Sequence, residues 1–202
     1  MSRPIANGNF ELANAFPAAV QGEALIALSH FPEPRIPFGS QFSVRVAAEN
    51  VLIPTRIYDE PSLIYGYKLT DLQRELVDCL FTRHHSGYTR QAFLERVIRS
   101  PNIWIPPFVI QLVGEYVIEI LQVIDNNLSS FNTPVFEQFV QSNPEFIALT
   151  EHRVMSYWNE YYRHPPWDGR RTVYERDEYL GFRLIDFFKS LAQNAIRPDP
   201  KL

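Results

Sequence analysis

The stretch IWIPPFVIQLVGEYVIEILQVI, residues 103–124, decides the fold class. It is apolar for long enough to suggest a membrane span, but Gln111, Glu115, Glu119 and Gln122 interrupt it, and polar groups at that density are wrong for hydrocarbon. Pro106 or Pro107 suits a first helical turn, where a missing N–H costs nothing. The polar residues recur at spacings of four, four and three, a narrow stripe on an otherwise apolar helix. The pattern predicts one continuous helix running to Ile124 and covered on several sides. Such a helix needs other helices around it.

The flanking sequence supplies them. Upstream, from Tyr67, Leu69, Leu72, Leu76, Cys79 and Leu80 fall on one helical face, and a second helix is expected over about 88–98 with Phe93, Leu94, Val97 and Ile98 inward. Downstream, Thr133 reads as an N-cap followed by Pro134, and Asn143 with Pro144 repeats that start signal. The helix begun there extends to about Tyr162, with Ile147, Val154, Trp158 and Tyr161 near one face. A last helix carries Leu180, Leu184, Phe187, Phe188 and Leu191, and Pro198 ends any continuation.

The amino-terminal third reads differently. Seven of the sixteen prolines lie in the first 61 residues, and apolar periodicity there is short and broken. One weak helix is expected over 18–28. FSVRV alternates Phe42, Val44 and Val46 with Ser43 and Arg45, and VLIPTRIY follows after a few residues, the pattern of a two-stranded hairpin. Pro54 cannot donate to a ladder, so the second strand must be an edge or end there. One domain is expected over 1–202: an irregular Pro-rich segment with a β-hairpin over 1–66, then a helical region over 67–194.

Composition narrows the function classes. Of the 202 residues 46% are hydrophobic and 14% aromatic, which argues for a folded chain with a ring-rich core. The net charge of -4 argues against sequence-independent nucleic-acid binding, where neutralised phosphates supply the affinity. The lone Cys79 permits no internal disulfide, and no secretory signal is visible, so the expected compartment is the cytoplasm and no membrane partner is expected. No Gly-rich phosphate loop, nucleophile elbow or dinucleotide motif occurs, and no cofactor is implied.

The longer helices begin near Leu69, Pro107 and Glu145, at intervals of 38 residues, and their shorter partners near Tyr88, Thr133 and Arg176. SGYTRQAFLERVI followed by WIPPFVIQL resembles the inter-helix turn and second helix of a HEAT-type repeat. That resemblance, over 68–193, implies a mainly α fold of antiparallel hairpins stacked into a repeat, with the polar stripe of Glu115 and Glu119 facing a binding groove. A compact bundle of the same hairpins is the competing architecture.

Two segments concentrate reactive side chains. TRHHSGYTRQ, residues 82–91, holds His84, His85, Arg83 and Arg90, and its residue types suit a turn: cations beside helix-end carbonyls, Gly87 in the left-handed conformation that stops a helix, Arg90 in the next first turn. The sharper alternative assembles His84, His85 and His164 with a carboxylate from Glu115, Glu151 or Asp168. No His-X-X-X-His or Cys-X-X-Cys spacing supports a metal, and none is expected. RVMSYWNEYYRHPPWDGRRTVYER, residues 153–176, interleaves rings with arginines, a combination enriched at protein interfaces and able also to stack on bases. The candidate binding residues are Trp167, Arg170, Arg171, Arg163, His84 and His164. The expected function is a non-enzymatic protein-binding module, adaptor or inhibitor, with another protein as partner. The alternatives are a nucleic-acid-binding helical protein or an enzyme using the histidine turns.

Overall fold

The structure is a computed structural model that describes residues 8–31, 36–64, 66–164 and 172–194. It is mainly helical with one two-stranded antiparallel sheet, and the chain divides into two compact units, Met1–Val97 and Ile98–Leu202. No helix among the described residues is long and apolar enough to cross a membrane.

In the first unit a short α1 (Gly8–Glu11) and a 3-10 turn (Leu12–Ala15) lead into α2 (Ala18–Leu28), which takes the bounds its sequence predicts. The hairpin follows as β1 (Gln41–Val46) and β2 (Glu49–Pro54), with Phe42 opposite Ile53 and Val44 opposite Val51. Val44, Val46, Val51 and Ile53 are buried, while Ser43, Arg45 and Leu52 face out, as period-two alternation requires. Pro54 is the last residue of its strand, where its missing N–H breaks no ladder. Ala47 and Ala48 make the turn, at φ 50 and 66. Two positive φ values match the twist of a type I′ hairpin, but glycine or asparagine normally supplies them.

α3 (Asp71–Phe81) and α4 (Gly87–Val97) form the first helix pair. Thr70 caps α3 reciprocally with Gln73: the Gln73 amide donates to Thr70 Oγ1 at 3.2 Å and the Thr70 amide to Gln73 Oε1 at 3.0 Å. Gln73 also donates through Nε2 to Glu23 Oε2 at 2.8 Å, tying α3 to α2. Leu76, Leu80, Phe81, Phe93, Leu94 and Val97 are buried between these elements.

The second unit corrects the reading of its founding stretch. Residues 103–124 form not one helix but two, α5 (Ile105–Val113) and α6 (Ile118–Asn127). Gly114, a poor helix former, sits at the break, and a Cβ there would stand 3.1 Å from Arg153 Cβ. Val117 is extended, at φ -87 and ψ 106. The carbonyls freed by the break are met by tyrosines: the Tyr162 hydroxyl donates to Tyr116 O, and the Tyr179 hydroxyl to Glu115 O at 3.5 Å. The polar stripe is lost with the helix. Gln111 and Glu115 are buried, at 5% and 2% exposure, while Glu119 and Gln122 are exposed.

α7 (Thr133–Ser142), α8 (Pro144–Tyr161) and α9 (Leu180–Asn194) complete the unit. α7 starts one residue earlier than its sequence suggests, with Asn132 and not Thr133 before it. α9 begins at Leu180, because residues 176–178 form a turn. It packs against α6, α7 and α8, and α5 touches all four of these helices. Every residue of α5 is buried. Phe131, Phe136 and Phe188 stack at 4.5 to 6.0 Å, and Lys189 on α9 donates to Glu151 on α8 at 2.8 Å.

Candidate functional site

The histidine segment is built from the backbone outward. α3 ends at Phe81 and is followed by Thr82, whose hydroxyl donates to Cys79 O at 2.6 Å. The chain then runs beside residue 57 as an isolated parallel bridge: Ile57 N donates to Arg83 O at 3.0 Å and His85 N to Ile57 O at 2.9 Å. Arg83 is fully buried, and its guanidinium donates to Thr55 O at 2.9 Å and Pro54 O at 3.4 Å, the carbonyls at the end of β2. Arg90, 1% exposed, donates through Nη1 to His84 O at 2.9 Å and His85 O at 2.8 Å. A single guanidinium nitrogen therefore closes the turn, from the first turn of α4 where the sequence places Arg90. Gly87 departs from expectation, opening α4 where a helix stop was predicted.

The two histidines differ. His84 is 1% exposed, and its Nδ1 accepts the Ser86 amide at 3.1 Å, which places the ring proton on Nε2. Nε2 is buried with no hydrogen-bond partner among the described residues. Burial first, then the neighbouring His85 and Arg90, pushes its pKa down to about 4 against an opposing pull from Glu60, so the ring is neutral at pH 7. His85 is exposed and stacks on Tyr58 with centroids 5.5 Å apart. A neutral imidazole sealed in this way orders a turn.

α8 builds the second candidate region. Tyr157 and Tyr161, one helical turn apart, approach to 5.9 Å between centroids. Tyr116 joins them from the break between α5 and α6, stacked on Tyr161 at 5.1 Å and tilted against Tyr157 at 5.7 Å. Tyr116 is 42% exposed and the other two are half-buried. Next to this cluster Trp158 donates its indole N–H to Tyr174 O at 2.9 Å and meets the edge of Phe182. Arg163 lies over the indole at 5.5 Å and donates to Asn159 Oδ1 at 2.9 Å. Arg153 turns inward to Gln111 Oε1 at 2.8 Å.

The candidate residues are thus dispersed. His84 belongs to the first unit, and Arg163 and the exposed His164 to the second. Trp167, Arg170 and Arg171 lie outside the described residues, as does Asp168. Glu151 is committed to Lys189, and Glu115 is buried. Among the described residues no group of three or more His, Cys, Asp or Glu side chains could hold a metal ion. Sequence reasoning missed Tyr116; its signal was Gly114 inside an apolar helical run, which marks a break that presents the following residues.

A groove missed by the sequence reading also lies on the α3–α4 pair, about 530 Å³, lined by Asp71, Arg74, Glu75, Asp78, Arg96 and Val97. Asp78 is 6% exposed and ion-paired with Arg96 at 3.5 Å. Burial raises its pKa to about 6, outweighing Arg96 and Arg74, which act in the opposite direction. Comparison of the chain with protein-family models, with curated proteins and with solved structures gives no match.

Proposed function

We propose that the protein is a non-enzymatic, cytoplasmic protein-binding module, an adaptor or inhibitor, whose contact surface centres on Tyr116, Tyr157 and Tyr161. The observation that carries this reading is the half-exposed tyrosine cluster itself. Tyrosines supply large, rigid contact area with few torsions to freeze, and ring clusters flanked by arginine are the residues enriched at interface hot spots. Arg163 on Trp158 adds a guanidinium and an indole beside the tyrosines, and the sequence offers Trp167, Arg170 and Arg171 for the same role. Of the two helical architectures, the closed bundle is favoured over the HEAT-type stack, because α9 packs on four other helices and not on a single neighbouring pair.

The competing readings lose support at the histidine turn. Nucleic-acid binding needs the arginines of α8 and the following loop to converge with Arg83, Arg90 and Arg96, and of these Arg83 and Arg90 are buried against backbone carbonyls. An enzyme using His84 would need an accessible ring nitrogen, and the His84 side chain is buried.

The test is affinity capture from the native host at mild salt, comparing wild type with Tyr116→Ala combined with Tyr157→Ala, and separately with Trp167, Arg170 and Arg171 changed to Ala. Loss of one specific companion in the tyrosine variant is expected. Retention of every companion by the folded variant would overturn the proposed surface, and tight, salt-sensitive binding to a generic duplex would move the function to nucleic acid.

A further inference from the structure

Asp71, Arg74, Glu75 and Asp78 follow one another on α3 at spacings of three, one and three, which sets four charged side chains on one stripe of the helix. Arg96 and Val97, from the last turn of α4, close the other side. The groove of about 530 Å³ between them falls within the range of about 300–1,000 Å³ that small-molecule sites occupy. Five of its six lining residues are charged, so it suits a charged ligand and not an apolar one. Three of them are carboxylates and two are guanidiniums, which leaves the lining negative.

The deepest of these charges is incompletely met. The side chain of Asp78 is 9% exposed, whereas that of Arg96, its partner, is 44% exposed. Their contact of 3.5 Å lies well outside the roughly 2.7–2.9 Å of a charge-assisted hydrogen bond, and Arg96 also holds its guanidinium over the Phe93 ring at 4.3 Å. A solvated side chain shared between a ring and a long contact leaves a buried carboxylate short of positive charge. The raised pKa of Asp78 agrees, because burial outweighs Arg96 and Arg74 together, with Glu75 acting alongside burial.

We propose that this groove binds a guanidinium group brought by a ligand, either an arginine side chain of a partner chain or free arginine, with the Asp78 carboxylate as its receptor and Arg96 displaced toward solvent. A guanidinium suits the position better than an ammonium. It is planar, its paired N–H donors match both oxygens of a carboxylate, and it is weakly hydrated, so it sheds water at lower cost to reach a side chain nine-tenths buried. Arg96 shows that a guanidinium reaches Asp78 from this side. Displacing Arg96 costs little, because an ion pair with a solvated partner is screened by water. Asp71, exposed, and Glu75, half-buried, add to the field that draws a cation in along α3. The groove belongs to the first unit and the tyrosine surface to the second, so each is tested independently of the other.

Titration of the full chain at about pH 8, where Asp78 is ionised, with N-acetyl-arginine amide from about 0.1 to 30 mM tests it, a span chosen for a millimolar ligand. The backbone amide signals of Asp78 and Val97 in proton–nitrogen NMR spectra are expected to shift and saturate. Neutral N-acetyl-glutamine amide is expected to leave them in place, and N-acetyl-lysine amide to bind several-fold more weakly. Asp78→Asn keeps the shape of the groove and removes the charge, and is expected to weaken binding about tenfold or more. Arg96→Met keeps a stem on Phe93 and removes the competing cation, and is expected to tighten it. Free arginine separates the two sources: binding as tight as the blocked form, or tighter, assigns the amino acid, and weaker binding assigns an arginine within a polypeptide. The absence of a saturating shift overturns the proposal. So does an equal response to the glutamine or lysine amide, an affinity unchanged in folded Asp78→Asn, or one lowered in folded Arg96→Met.

Discussion

The hydroxyl of Tyr162, just past the end of α8, donates to the backbone carbonyl of Tyr116 in the break between α5 and α6. Helix breaks leave carbonyls without intrahelical partners, and a part-buried hydrogen bond to one of them contributes about 0.5–1.5 kcal/mol. Tyr162→Phe is expected to destabilise the second unit by that amount, measured by urea unfolding, and to loosen the ring of Tyr116. Tyr179→Phe should cost less, because the bond from Tyr179 to Glu115 O is long at 3.5 Å.

Arg90 closes the histidine turn with two charge-assisted bonds to adjacent carbonyls. Both bonds leave one nitrogen, so Arg90→Lys, which keeps a charged donor, should cost less than Arg90→Ala, which should destabilise the first unit by about 2–4 kcal/mol. Hydrogen exchange at the Ile57 and His85 amides, which form the bridge beside it, would read the loss locally.

His84 and Asp78 act on stability in opposite senses. The depressed pKa of His84 means that the unfolded chain binds a proton first as pH falls; its contribution is fully present above about 6.5 and is lost toward pH 4, about 3 kcal/mol in all. The raised pKa of Asp78 means that the folded chain takes the proton first. Its contribution is present below 3.8 and is lost as pH rises through 6, also about 3 kcal/mol. Asp78→Asn should therefore gain on wild type by up to about 3 kcal/mol between pH 4 and pH 8. NMR titration should find His84 uncharged at pH 5.5.

The alanine turn of the hairpin is a site for stabilisation. A left-handed backbone at a residue with a Cβ costs roughly 1–2 kcal/mol, and glycine removes that cost while losing more entropy on folding. Ala48→Gly should raise the stability of the first unit by about 0.5–1 kcal/mol, and Ala48→Val should lower it by more. Chemical denaturation followed through the amides of Val44 and Val51 would show both.

What the chain determines locally was legible in order. Period-two alternation placed β1 and β2, Pro54 marked the end of the second strand, and Phe93, Leu94 and Val97, read as the inward residues of α4, are buried, as is Ile98 just past its end. α2 and α8 begin and end within a residue of their expected bounds, and α8 opens on Pro144, whose missing N–H costs nothing in a first turn. The role of Arg90 was half-visible: its position in a first turn is a matter of spacing, but its two carbonyl partners lie on a turn that only folding bends back to it.

The tertiary structure decided the rest, and Gly114 shows why. Propensity charges a glycine within a helix about 1 kcal/mol, too little to break a run as apolar as residues 103–124. The close approach of Arg153 and the bonds from Tyr162 and Tyr179 favour the break, and all three residues come from segments more than thirty positions downstream. The same long-range packing buried Gln111 and Glu115, which periodicity alone had placed on an outward stripe, and set Tyr116 beside Tyr157 and Tyr161. Periodicity records which residues avoid water; which neighbours cover them is set by contacts the sequence does not order.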